Sequence, residues 1–245
     1  MRTSASYTQP VKHGAAPAVD NRNLARVMRA VRDFCRTAHA PITAFVAQTE
    51  RDPYRVLTAC ILSLRSQDQV TAGAAARLFE IAPNSRALAA SPVAVIRRAI
   101  YPVGFYRTKA ERLVEIGRIL QREFSGRVPD DIDTLLGLPG VGRKTANLVV
   151  TVAYSLPGIC VDTHVHRISN RWGYVRTRSP EETEQALREK LPRRYWLELN
   201  RLLVTLGQTI CRPVRPRCDA CPIERWCARI GVNERKRARR KLTSA

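Results

Sequence analysis

Four of the chain's seven cysteines fall within seventeen residues, as Cys211-x6-Cys218-x2-Cys221-x5-Cys227, while Cys35, Cys60 and Cys160 lie scattered. A disulfide framework would not cluster them in this way. Closely spaced thiolates are soft metal ligands. Structural zinc takes two short-spaced pairs separated by a longer stretch, whereas this run makes one compact wrap around a single centre. Arg212, Arg215 and Arg217 stand between the first two ligands, so ordering the loop either presents their charge to a polyanion or leaves it in solvent.

A second cluster of chemistry is Leu138-Pro-Gly-Val-Gly-Arg-Lys-Thr-Ala146. Gly140 and Gly142, two apart, allow a tight turn that a side chain would block. The amides of such a turn, with the amino end of the helix that follows, can point at a phosphate. A Pro-Gly loop joining two core helices is the bland reading, but Arg143 and Lys144 directly after the glycines favour a helix-hairpin-helix grip on a nucleic-acid backbone.

The charge agrees with that grip. The 245 residues hold 42 Lys or Arg against 21 Asp or Glu, a formal charge of +21. Six of the seven residues from Arg235 to Lys241 are basic, and without those six the chain still has 36 basic residues against 21 acidic. A body this basic points to a polyanionic partner, nucleic acid before an acidic membrane surface. With 44% apolar residues the chain can bury a sizeable core, so global disorder is excluded. No apolar run approaches the roughly 18 residues of a membrane span, and no charged start leads into a signal-type stretch. The expectation is therefore an intracellular protein, cytoplasmic and nucleoid-associated, with no membrane partner.

The periodicity of the chain around these residues is helical. Leu24, Val27, Met28, Val31, Phe34, Cys35 and Ala38 share one face. Tyr54 to Leu64 is apolar nearly all round and reads as a buried helix, and an alanine-rich helix follows from Val70 to Phe79. Ser91 and Pro92 are read as the cap and first turn of a helix through Tyr101. Thr108 to Phe124 follows, with Leu113, Ile116, Ile119 and Leu120 on one face, then a short helix from Asp131 to Gly137 and an apolar one from Arg143 to Tyr154. Ser179, Pro180 and Glu182 form a capping box for a helix that Pro192 stops, and Tyr195 to Ile210 is the last long helix. Period-two alternation is missing; the best strand candidate is Ile159 to Val161. The class is all-α, with a mobile tail over residues 1–20 and a basic tail over 233–245.

The segments 138–146, Val161-Asp-Thr-His-Val-His-Arg167 and the cysteine run, in that order, resemble the endonuclease III family of DNA glycosylases, members of the helix-hairpin-helix superfamily. The likeness extends from about Arg55 to Cys227. It implies two helical domains, a barrel over 46–156 and a second domain made from 21–45 plus 157–232. Their cleft would put Lys144 and Asp162 on facing walls. In that family a lysine after the hairpin is the nucleophile and an aspartate about eighteen positions on assists, which Lys144 and Asp162 match. The amine would attack C1′ of a damaged nucleotide, expel the base and form a Schiff base that permits β-elimination. A free amine requires a lowered pKa, which an apolar cleft near a helix amino end would supply. On the residues alone, Lys144 could be a phosphate contact and Asp162 a helix cap before Thr163.

The likeness further implies a four-iron four-sulfur cluster on Cys211, Cys218, Cys221 and Cys227. It also implies two wedge loops that open the duplex: Phe105 as an apolar filler, and a polar filler after Leu62-Ser-Leu64. The family commonly has glutamine where this chain has Arg65, with Gln67 two places on. His164 and His166, two apart on a helix, do not share a face and are assigned to packing or supporting roles. The expected function is removal of oxidised pyrimidines from double-stranded DNA with strand cleavage, by a monomer acting in base-excision repair. The rivals are a purine-mismatch glycosylase of the same superfamily and a non-catalytic DNA clamp.

Overall fold

The structure, a computed structural model, describes residues 18–38 and 49–232. The segments read as a basic tail and most of the N-terminal tail, and the boundary placed at residue 45, lie outside those residues. Every regular element among the described residues is helical. Helix α1 (Leu24–Thr37) buries the stripe Leu24, Val27, Met28, Val31 and Cys35, the three-to-four spacing of an amphipathic helix. Asp20 Oδ1 accepts the N–H groups of Arg22 and Asn23 just before it. Residues 18–20 are docked rather than part of a tail: Val19 is buried and its N–H donates to the Trp172 carbonyl at 3.0 Å.

Among the described residues seven helices then build one core: α2 (Pro53–Ser63), α3 (Asp68–Ile81), α4 (Ser85–Ala90), α5 (Val93–Ile100), α6 (Tyr106–Glu123), α7 (Ile132–Leu136) and α8 (Arg143–Val152). α2 is their axis. It is buried on all sides through Val56, Leu57, Cys60, Ile61 and Leu62 and packs on α3, α6 and α8; each such Leu or Ile contributes about 1.5–3 kcal/mol on burial. The remaining helices, α9 (Thr163–Arg171), α10 (Pro180–Lys190) and α11 (Trp196–Thr209), join α1 around a second core that includes Val27, Val165, Ile168, Trp172 and Leu203, with Ile223 from the cysteine loop.

Caps set the helix starts. Asp52 accepts the Arg55 N–H at 2.8 Å ahead of Pro53, Asn84 that of Ala87 at 2.9 Å, and Asp131 that of Thr134 at 2.8 Å. Three readings are corrected. Ser91 does not open α5; its hydroxyl donates back to the Ala87 carbonyl at 2.8 Å and closes α4, a helix too short to show a period, and Pro92 is the cap. The capping box is half formed, since Ser179 Oγ accepts the Glu182 N–H but the Glu182 carboxylate takes the N–H of Arg178. Ile159 to Val161 is buried but joins no strand; its backbone is tied at Asn200 Nδ2 to Cys160 O, 3.1 Å.

Candidate active site

The hairpin between α7 and α8 is pinned by Leu138 and Val141, both buried in the first core, with the Val141 N–H on the Leu138 carbonyl at 3.1 Å. Gly140 has φ +79° and a Cβ there would lie 2.9 Å from Cδ of Arg112, so glycine is required. Gly142 corrects the reading of the pair: its φ is −99° and a Cβ would meet nothing within 4 Å. What Gly142 provides is open space at the amino end of α8. That helix has no side-chain cap, so the first-turn amides face outward with the positive end of the helix dipole.

Lys144 is the second residue of α8 and is exposed, so the chain does not enclose it in the apolar cleft expected from the sequence. Buried groups nevertheless crowd beneath it. The Cys160 thiol donates to the Lys144 carbonyl at 3.7 Å, and the charge of Lys144 acts on both Cys60 and Cys160. Burial pushes the Cys60 thiol up to about 12 and raises that of Cys160, which keeps both as neutral, unreactive thiols.

Two residues beyond Cys160, Asp162 caps α9: its Oδ1 accepts the N–H groups of His164 and Val165, both at 2.9 Å. The bland reading of this residue is therefore realised, and it is compatible with chemistry, because among the described residues Oδ2 carries no hydrogen bond. The fields of Asp162 and Lys144 meet on two groups, the Cys160 thiol and the His164 imidazole. Burial lowers the pKa of His164, with Asp162 opposing it. Arg167 Nη2 lies 3.1 Å from His164 Nδ1 and donates to the Cys211 carbonyl at 2.9 Å. Arginine only donates, so Nδ1 accepts and the imidazole is neutral with its proton on Nε2. His166 turns away to Thr183 Oγ1 at 2.7 Å, and the expectation that the two histidines share no site agrees with this.

Arg143 forks onto Glu184 of α10, Nε to Oε2 at 3.1 Å and Nη2 to Oε1 at 3.0 Å, with Arg188 Nε on the same Oε1 at 2.9 Å. This buried carboxylate holds the hairpin helix of the first core against the second, a partnership that no local feature of the sequence signals. Arg143 keeps only part of its side chain for a phosphate, being 46% exposed.

The thiols of Cys211, Cys218, Cys221 and Cys227 line one recess beside Trp172, Leu206 and Ile210, and none of the seven cysteines is in a disulfide. Among the described residues no three His, Cys, Asp or Glu side chains are grouped as ligands of a single ion. Buried Arg171 buttresses the loop: Nη1 donates to the Arg212 carbonyl at 2.8 Å and to Cys211 Sγ at 3.3 Å, Nη2 to the Pro213 carbonyl at 2.9 Å. Arg212, Arg215 and Arg217 are exposed.

Phe105 is not in the core; it is 63% exposed, and the guanidinium of exposed Arg65 lies 5.6 Å from its ring centroid. The structure thus brings the two expected wedge residues together. Gln67 is exposed at the start of α3.

Residues 58–193 match the family described as HhH-GPD superfamily base excision DNA repair protein. Endonuclease III of Thermotoga maritima is 48% identical over 178 residues, 73% of this chain and 84% of that protein. A solved non-covalent endonuclease III–DNA complex superposes with a TM-score of 0.77 at 31% identity, covering 90% of this chain and 99% of that one. A trapped endonuclease III–DNA covalent intermediate gives the same TM-score, identity and coverage.

Proposed function

The chain belongs to the endonuclease III family of helix-hairpin-helix base excision DNA repair proteins, and on that premise we propose how its residues perform the reaction. It is a DNA glycosylase with abasic-site lyase activity, acting on double-stranded DNA that contains a damaged base; the substrates are oxidised pyrimidines. Among the described residues no helix is long and apolar enough to cross a membrane. The two cores serve as two domains with the site at their junction.

The outward amides of α8 and the open space at Gly142 receive a phosphate, assisted by the exposed arginines of the cysteine loop. Arg65 and Phe105 fill the gap left by the extruded nucleotide. Lys144 Nζ, as the free amine, attacks C1′; the N-glycosidic bond breaks, and its electron pair leaves with the base, which takes up a proton. Asp162 Oδ2 faces the positive charge developing on the sugar, while Oδ1 stays committed to the cap and fixes the carboxylate. Ring opening gives a Schiff base; loss of a proton from C2′ and cleavage of the C3′–O bond break the strand, and water then frees the lysine.

The four cysteines fit an iron–sulfur cluster better than zinc. They share one recess, and their spacing, Cys211-x6-Cys218-x2-Cys221-x5-Cys227, is one compact wrap rather than the two short-spaced pairs that structural zinc takes. When bound, the cluster supplies a rigid tie for the loop that carries Arg212, Arg215 and Arg217.

The observation that carries this reading is the link between the two residues: the Cys160 thiol donates to the Lys144 carbonyl at 3.7 Å, and Asp162, two residues beyond Cys160, caps α9 through Oδ1 alone. Borohydride trapping on abasic DNA tests it: wild type should form a covalent complex and Lys144→Gln none, with DNA affinity retained. Asp162→Asn keeps an Oδ1 acceptor for the cap, so it should fold normally yet turn over at least a hundredfold more slowly. A trapped complex from Lys144→Gln at wild-type yield would refute the assignment.

A further inference from the structure

Local rules argue against a lysine at position 109. It is 5% exposed, and burial pulls its pKa down to about 8. It also stands in the first turn of α6, where a cation opposes the helix dipole. Its partners explain its presence. Nζ donates to the Leu62 carbonyl at 2.8 Å, the Leu64 carbonyl at 2.6 Å and Ser66 Oγ at 3.4 Å. The first two close the carboxyl end of α2, where carbonyls lack helical partners and partial negative charge collects.

The same residue reaches the second loop. Its side-chain link runs through Ser66 Oγ, which receives the ammonium at 3.4 Å and accepts the Gly104 N–H at 3.0 Å, while the Lys109 N–H makes the ordinary i→i−4 helical bond to the Phe105 carbonyl at 3.0 Å. The loops touch so closely that a Cβ on Gly104 would lie 2.5 Å from the Arg65 carbonyl oxygen. Arg65 and Phe105 both hold left-handed backbone, φ +54° and +58°, which persists only where the surroundings over-determine it. Both side chains project into solvent from this clamp.

We propose that Lys109 is a positioning residue for duplex opening, fastening the Arg65 loop to the Phe105 loop so that both side chains enter DNA as one preassembled wedge. The inference rests on the glycosylase reading above, and the role is distinct from chemistry at C1′. Losing the clamp should slow opening while sparing reaction on DNA that needs no opening.

The test measures the two steps separately for wild type, Lys109→Met and Ser66→Ala. Opening is read as the fluorescence rise of 2-aminopurine placed opposite a lesion in duplex DNA. Chemistry is read as borohydride trapping on a single-stranded abasic oligonucleotide. Lys109→Met should slow the rise at least tenfold with trapping kept within twofold; Ser66→Ala, which removes only the hydroxyl link, should slow it about threefold with trapping unchanged. An unchanged rise overturns the proposal, and so does an equal fall in both readouts, the mark of a merely structural residue. If Lys109→Met does not fold, Ser66→Ala decides by the same criteria. Failure of wild type to trap abasic DNA in either form would instead sink the glycosylase reading.

Discussion

The imidazole of His164 rests on the bare Cα of Gly207: a Cβ at position 207 would lie 2.2 Å from His164 Nδ1 and 3.0 Å from Arg167 Nη2. Gly207 lies in α11, where alanine would ordinarily stabilise the helix by about 1 kcal/mol. A 2.2 Å approach reverses the sign. Gly207→Ala must push the imidazole off Arg167 and disturb the turn that Asp162 caps, so it should destabilise the fold by about 1–3 kcal/mol and slow single-turnover base release. Urea unfolding with a lesion-oligonucleotide time course checks both, and a variant more stable than wild type with full activity would show that His164 has room to move.

The neutral His164 carries a pH signature. Burial lowers its pKa, Asp162 opposes, and Arg167 and Lys144 act with burial. Its stabilising contribution is therefore complete above the unfolded imidazole value near 6.5 and is lost as pH falls through the lower folded value. Wild type should lose more unfolding free energy between pH 7.5 and 5 than His164→Gln, which keeps a neutral acceptor. Parallel pH profiles for the two proteins would count against this protonation state.

The cysteine loop predicts a brown protein with about four irons per chain, as a four-thiolate cluster holds. Cys218→Ser should lose colour and melt at lower temperature together, because the loop ties Ile223 into the second core. Metal analysis and a melting curve measure this; one zinc per chain in a colourless, active preparation would restore the zinc reading.

What the sequence disclosed and what it withheld divide by distance along the chain. The stripe of α1, the apolar α2 and the cap at Ser179 are local patterns and were legible. The cysteine run was legible too, since its spacing is itself the signal. Lys109, Glu184 and Gly207 were not. Lys109 sits among Arg107, Glu111 and Arg112 and looks like a solvated helix lysine, yet its acceptor Leu62 is 47 residues away. Glu184 reads as one more acid of a polar helix until Arg143, 41 residues earlier, is folded onto it. Asp162 offered two readings, a helix cap and an assistant to Lys144; Oδ1 forms the cap, and among the described residues Oδ2 carries no hydrogen bond.

Arg65 tests how a departure from the family's usual glutamine is used. Glutamine has both a donor and an acceptor and can pair with many orphaned bases, whereas arginine only donates. Its fork suits O6 and N7 of guanine, while adenine sets a donating amino group beside N7. In the free protein the guanidinium is exposed and lies 5.6 Å from the Phe105 ring centroid, so the entry proposed for it would need no release from a buried partner. Lesions opposite guanine should therefore be processed faster than the same lesion opposite adenine, by roughly tenfold if one bidentate contact of about 1–3 kcal/mol is at stake. Arg65→Gln should bring the ratio close to one. Single-turnover rates on one lesion placed opposite each base measure it. A ratio that the substitution leaves unchanged would mean that Arg65 holds a phosphate and that Gln67 reads the opposite strand.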